Sequence, residues 1–482
     1  MILLYIFHNL VSISSLLITF VMLIVYAYKS LFTIVNLTLD FDLIGVEPEI
    51  NLKELDMTFY PNRQLTYLAS SISVLAIATG LVVGQSATHK SLAQTSTTPP
   101  PTGVTSINGA GASSITTLFI GTGTTSPFDP KGSWFNTYGV GNPSSLNPPG
   151  PVNAAVTFRY ASVGSGKGLT AFFTQTVPAG SPTINRPVSF AASDDPVVGT
   201  EKVSGSPNNA GTAANAYVQV PAITVGIALA YNPTGLNVPA GGIKLSRATY
   251  LGILKGNIIN WNDAKIKADN GGATIANKPI VVVYRSDDSG TTFALSSHLK
   301  AAFPTWNRGT GKKSIVGSVP STIPADTVIW PVGSKGATGG GGVATTIATT
   351  PGAIGYVDSA TQLAKNLKAA LLQNKAGTYN AISPTTISNA FVGASDQDAN
   401  AQRIKLVVTD PTAANAYPIV TATYVLFYDK YADAKVAAGI KGLIGWAFGA
   451  AGDTIAKNRG YAPLPTAIKT LSKNVVNTYV KP

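Results

Sequence analysis

The chain contains no cysteine, which excludes disulfides, thiolate metal sites and cysteine nucleophiles. It has only three histidines, and His8 and His89 both fall in N-terminal segments expected to be membrane-associated or removed. His298 is left alone in the rest of the chain, so neither a zinc hydrolase nor a Ser-His-Asp hydrolase is expected. Charge is scarce too: 12% of the 482 residues are charged, against 45% hydrophobic, with 47 glycines and 31 prolines. That is the composition of a globular chain rich in turns and long enough for one large two-lobed body. No repeat with a solenoid or propeller period is present.

The charge that exists is unbalanced. The net charge is +12, and the chain after Ala93 carries +14, because residues 1–93 hold four basic and six acidic residues. Such an excess favours an anionic ligand or an anionic cell surface. The basic residues are scattered and not interleaved with aromatics, so no nucleic-acid partner is expected.

Two hydrophobic signals open the chain. Residues 1–28 carry no charged side chain and are long enough to span a bilayer, which takes about 20 residues. A second apolar run, Leu65 to Gly84, comes after Arg63 and precedes Ser91-Leu92-Ala93, whose small residues suit a cleavage site. Residues 57–93 therefore have the form of a signal peptide. Residues 1–56 are then either an upstream extension of the true start at Met57 or a membrane anchor. Residues 94–104, rich in Ser, Thr and Pro, form a linker. The chain beyond the linker is expected outside the cytoplasmic membrane, in the periplasm or at the cell surface.

From Thr105 onward, apolar strand-like runs alternate with helical patterns, the signature of an α/β fold with largely parallel pairing. The expected strands include Ala154–Ala161, Pro187–Ala192, Ile280–Tyr284, Gly352–Asp358 and the segment RIKLVV (403–408). Val218–Tyr231, apolar throughout despite Pro221, suits a buried strand passing between lobes. Helices are expected around Trp134, over Leu245–Leu254, after Gly339–Gly342 and over Val436–Phe448. Gly121–Gly150 is expected to be a surface insertion, and Gly199–Ala216 a surface loop.

Three turns share one design: a strand, small residues, then a helix. They are GAGASS (Gly109–Ser114), VGSGKG (Val163–Gly168) and DDSGTT (Asp287–Thr292). Glycines let the backbone approach an oxyanion, and a helix N-terminus offers free N–H groups and partial positive charge. Ser113 or Ser114 also suits a helix N-cap. None of the turns has nucleotide P-loop spacing. Taken singly, such a turn is more often only a turn. Likewise Arg285 with Asp287 reads as a surface ion pair worth about 0–1 kcal/mol, and Asp194-Asp195-Pro196 as a helix cap.

Taken together and in order, the segments resemble the substrate-binding proteins of phosphate-specific ABC transporters, including their DING branch. INGAGAS (Ile107–Ser113), YASVGSGKG (Tyr160–Gly168), FAASDDP (Phe190–Pro196) and RSDDSGTT (Arg285–Thr292) carry the resemblance. LGILKGNIINWND (Leu251–Asp263), PGAIGYVD (Pro351–Asp358) and GYAPLP (Gly460–Pro465) extend it over residues 105–470. The resemblance implies a two-lobed periplasmic binding protein type II fold with hinge crossover strands. Its first lobe would comprise residues 105–228 and 352–482, and its second residues 229–351.

It also implies an anion site with inorganic phosphate as ligand and no cofactor or metal. Ser113 and Ser165 would donate hydroxyl and N–H, and Ser114 its backbone N–H. Arg285 would supply the charge, held in plane by Asp287. Ser289, Gly290 and Thr291 would donate from the third turn. Asp194 would accept the proton that hydrogen phosphate still carries and sulfate lacks. Asp195 and Asp288 have no assigned role in this pattern, and Tyr284, Trp261 and Trp330 are expected to pack. The implied protein is not an enzyme. It is a monomer that delivers phosphate to an inner-membrane ABC permease. The alternatives are a phosphatase or a surface polyanion-binding protein on the same fold.

Overall fold

Apolar runs bounded by glycine-rich turns become strands in the computed structural model, which describes residues 102–121, 132–140, 151–181, 184–197, 217–309, 328–398 and 400–482. The anchor, signal-peptide and linker segments up to residue 101, and the loop 199–216, lie outside the described residues. No helix among those described is long and apolar enough to cross a membrane. The strands are β1 (Thr105–Gly111), β2 (Val156–Ser162), β3 (Phe190–Ser193), β4 (Tyr217–Tyr231), β5 (Lys244–Leu245) and β6 (Val281–Arg285). Next come β7 (Lys335–Ala337), β8 (Ala353–Asp358), β9 (Lys368–Ala369), β10 (Leu371–Gln373), β11 (Tyr379–Asn380) and β12 (Val420–Tyr428).

The large sheet runs β2-β1-β3-β12-β4-β8-β6-β7, with β9 alongside β4. On one side, β1 is parallel to both β2 and β3. On the other, β6 is parallel to both β7 and β8. The expected α/β organisation in two lobes is present, and β4 joins the lobes. Its first part, to Gly226, pairs antiparallel with β12; its last part, Ile227–Tyr231, pairs antiparallel with β8. All 15 of its residues are buried. Proline is tolerated inside a central strand at a bulge, and the β4–β12 register shifts beside Pro221, between Thr423 and Tyr424.

Three expectations need correction. Strand β8 pairs with β6, and β10 pairs with β5, so 353–373 lies with the second lobe and not, as the 352–482 assignment had it, with the first. The cause is a shared apolar cluster: Ala353 and Val357 of β8 pack with Val283 of β6 and with Val343, Ala344 and Ile347 of the helix Gly339–Thr349. The 121–150 segment is not all surface. Its expected helix, Trp134–Tyr138, buries Trp134, Phe135 and Tyr138 in the core, and Phe135 stacks on Phe119 at 4.3 Å between centroids. RIKLVV forms no strand; it meets the sheet through an isolated bridge from Arg403 to Gln219 and through Leu406, whose N–H donates to the Tyr424 hydroxyl and whose carbonyl accepts from it. The aromatics do pack as expected: Trp330 stacks between Tyr284 and Tyr356, and Trp261 is buried.

His298 is structural. Its Nδ1–H donates to the Thr409 carbonyl at 2.7 Å, so Nε2 accepts from the Tyr250 hydroxyl at 3.0 Å. Burial pushes its pKa down to about 4. The unfolded chain therefore takes up this proton first as pH falls. The neutral histidine's contribution is whole above about 6.5 and disappears between about 6.5 and 4. Urea denaturation of His298→Gln should give a lower midpoint than wild type at pH 7.5, with the gap shrinking toward pH 4.5. A gap that stays constant with pH would contradict this role.

Candidate functional site

The strand ends and helix starts meet where the two lobes face each other. Gly111 ends β1 at φ 144°, and a Cβ there would lie 2.0 Å from the Ala192 carbonyl oxygen of β3. Only glycine allows β1 to run this close to its neighbour. The chain then turns into the short 3-10 helix Ser113–Ile115. Neither Ser113 nor Ser114 caps a helix with its side chain; both hydroxyls are used elsewhere. The second turn places Ser165 at the start of the helix Ser165–Thr174 after Gly164, at φ 89°. The third places Ser289 as N-cap of the helix Gly290–Ala302, its Oγ accepting from Thr292 N. The first-turn N–H groups of Gly290 and Thr291 have no partner within their own helix.

The lobes are in contact here. A Cβ on Gly290 would sit 2.7 Å from both the Asp194 Cβ and the Ser165 Oγ, atoms of the opposite lobe. Asp288 lies across the same gap: a Cβ on Gly166 would be 2.6 Å from its Cβ and 2.7 Å from its Oδ2. Its carboxylate therefore rests against the first turn of the helix Ser165–Thr174, where negative charge is favourable.

Arg285 is the charge of the site and is 6% exposed. It is held by a fork: Nε donates to Asp287 Oδ1 and Nη2 to Asp287 Oδ2, both at 2.6 Å. Burial opposes its charge, but Asp287 outweighs burial and raises the guanidinium pKa. For Asp287, burial pushes upward, while Arg285 and a 3.0 Å bond from Gly339 N bring the carboxyl below its usual value. Nη1 of Arg285 donates to Ser113 Oγ at 3.2 Å, and Gly340 N donates to the same oxygen at 3.2 Å. With its oxygen accepting twice, the Ser113 hydroxyl has its proton left to offer. Ser165 Oγ likewise accepts, from Asp194 N at 3.4 Å.

Asp194 closes the site from β3 and is 1% exposed. Its Oδ1 accepts from Ser114 Oγ at 2.5 Å and Thr423 Oγ1 at 2.6 Å; its Oδ2 accepts from Thr291 Oγ1 at 3.2 Å. Burial raises its pKa, against those three hydroxyls and the Arg285 charge, which lower it. The Asp195 backbone closes a turn with Ser193 Oγ, which accepts from Asp195 N and donates to Asp195 O. The residues in which a helix capped by Asp194-Asp195-Pro196 would continue, 198–216, lie outside the described residues. A further buried carboxyl, Asp358, caps the helix Ser359–Ala364 through Thr361 N. Burial lifts it to about 6, and Asp194 adds to the shift.

All nine residues named from sequence, Ser113, Ser114, Ser165, Asp194, Arg285, Asp287, Ser289, Gly290 and Thr291, come together at this cleft. Three partners escaped sequence reading. Thr423 sits in a featureless apolar strand and gave no signal. Gly339 and Gly340 start a helix that steadies Asp287 and Ser113; their run of four glycines was the available sign. The arrangement can take a small oxyanion: one fixed cation, several hydroxyl and N–H donors, and one buried carboxyl group.

The fold and this cleft define a binding protein in two lobes, and comparison agrees. The family description "PBP superfamily domain" matches residues 146–451, and the chain belongs to that superfamily. Phosphate-binding protein PstS of Pasteurella multocida (strain Pm70) is 29% identical over 309 residues, covering 64% of this chain and 78% of that protein. A solved high affinity periplasmic phosphate-binding protein (PfluDING), bound with phosphate, superposes with a TM-score of 0.55 at 23% identity, covering 77% of this chain and 93% of that one. The phosphate binding protein from Stenotrophomonas maltophilia gives a TM-score of 0.53 at 23% identity, with 77% and 94% covered. The resemblance read from the ordered motifs is borne out.

The fork on Arg285 yields a direct test. Asp287→Ala leaves a buried guanidinium without its partner, which should lower unfolding free energy by about 3 kcal/mol. Denaturant titration at neutral pH measures it, and a loss near zero would mean the pair behaves as an exposed one.

Proposed function

We propose that this chain is an exported inorganic phosphate-binding protein. It captures hydrogen phosphate between its lobes and delivers it to an ABC-type permease. The observation that carries this reading is Asp194, a buried carboxylate set among anion donors. Beside a fully ionised anion it repels; beside hydrogen phosphate it accepts the remaining P–OH proton. A site built this way rejects sulfate, because a buried acceptor would be left unmatched.

The other groups divide the work. Arg285 neutralises charge, Asp287 holds its plane, and Ser113, Ser165, Ser289, Gly290 and Thr291 donate from both lobes. Because donors come from both sides, the anion is fully enclosed only when the lobes are together, which couples capture to hinge closure. The relatives named as phosphate-binding proteins support the ligand, and the signal-like segment 57–93 supports export.

Calorimetric titration of the purified protein should give saturable one-to-one phosphate binding with little response to sulfate. Asp194→Asn should keep anion binding and lose preference, narrowing the phosphate-to-sulfate ratio by up to about two orders of magnitude, the cost of an unmatched buried polar group. An Asp194→Asn variant that discriminates like wild type would remove the role assigned to this carboxylate. Hydrolysis of a phosphomonoester, or salt-sensitive polyanion binding without phosphate affinity, would replace the proposal altogether.

A further inference from the structure

The two oxygens of Asp194 are not equivalent. Oδ1 is saturated by two short bonds, from Ser114 Oγ at 2.5 Å and Thr423 Oγ1 at 2.6 Å. Both donors belong to the lobe of Asp194 itself. Oδ2 has one longer bond, 3.2 Å, from Thr291, which starts a helix of the opposite lobe. The Thr291 bond crosses between lobes, whereas those from Ser114 and Thr423 stay within one.

Both donors are firmly placed. Ser114 is buried, and its carbonyl accepts from the Tyr461 hydroxyl, which in turn accepts from Thr117 Oγ1 at 2.9 Å. Thr423 is fully buried and faces Asp194 by register, since Tyr424 pairs with Ser193 in the neighbouring antiparallel strand. It lies at the β4–β12 register shift, and Thr421 Oγ1 also donates, to the Asp194 carbonyl at 3.1 Å. The other charged or titratable groups facing Asp194 are Arg285, Asp358 and Tyr160, and none is hydrogen-bonded to Oδ1.

The geometry points to Ser114 and Thr423 as the positioning residues that set anion selectivity: by saturating Oδ1 from within one lobe, they keep Asp194 ionised and leave Oδ2 as the single acceptor for a ligand proton. A protonated Asp194 would be a donor, and a donor welcomes sulfate. Two hydroxyl bonds to the charged form oppose the desolvation that favours protonation. The inference rests on the phosphate reading of the site and explains how its selectivity is maintained when the lobes are open.

Sulfate is the cleaner probe, because it carries no proton of its own to offer, so any change of its binding with pH reports on the protein. In the full-length protein, sulfate binding should be weak at pH 8 and rise as Asp194 gains a proton. In Thr423→Val and in Ser114→Ala that rise should begin about one pH unit higher, and the phosphate-to-sulfate preference at pH 7 should drop about ten-fold. Thr423→Ser keeps the hydroxyl and should restore the wild-type profile. Wild-type onset and wild-type preference in both hydroxyl-deleted variants would overturn the inference. Equal loss of both anions in Thr423→Val and Ser114→Ala, with no shift in the sulfate onset, would also overturn it, since that marks a purely structural contribution. If the wild-type protein binds no phosphate, the reading of the site falls first and this inference with it; if it does bind, the variants judge the inference alone.

Discussion

A buried guanidinium has to be neutralised before it can serve an anion. Arg285 sits at the end of a central strand, almost without solvent, and the fork from Asp287 is what lets it stay charged there. Much of the surrounding structure serves to fix that fork. Gly339 N braces Asp287, Gly340 N braces the serine that Arg285 touches, and both belong to one helix start packed beside β8. The backbone N–H of Arg285 is tied to the Tyr356 hydroxyl of β8 at 3.0 Å, and that hydroxyl also meets Thr292 Oγ1 at 2.6 Å. The cation therefore cannot drift without disturbing two helices and a strand.

Against this fixed positive charge stands a fixed negative one. Asp194 and Arg285 lie on opposite lobes, at the ends of β3 and β6, so the field across the cleft is polarised before any ligand arrives. Preorganisation of this kind costs desolvation, and the hydroxyls around Asp194 and the fork around Arg285 are how it is offset. Small residues at the crossing points make the approach feasible. Gly290 faces Asp194 and Ser165, and Gly166 faces Asp288, with no room for a side chain at either place. Asp288, on the same turn as Asp287, lies at the seam between lobes, against the opposing helix start.

The sequence by itself determined the chemistry of the near site. Each turn carries its own signature of glycine and hydroxyl residues directly after an apolar run, and local physics makes such a turn end a strand and begin a helix. Arg285 and Asp287 are two residues apart, so their pairing was readable too. The long apolar run through Pro221 announced the strand shared by both lobes. Tertiary structure decided the rest, because it depends on which strands become neighbours. The place of β8 beside β6, and hence of 353–373 in the second lobe, came from cluster packing that no local pattern expresses. The core role of Trp134, Phe135 and Tyr138 was hidden in a loop-like composition. Thr423 lies 229 residues from Asp194 along the chain. Only antiparallel register brings its hydroxyl to that carboxylate, and a threonine in an apolar strand looks the same whether it fills space or holds a charge.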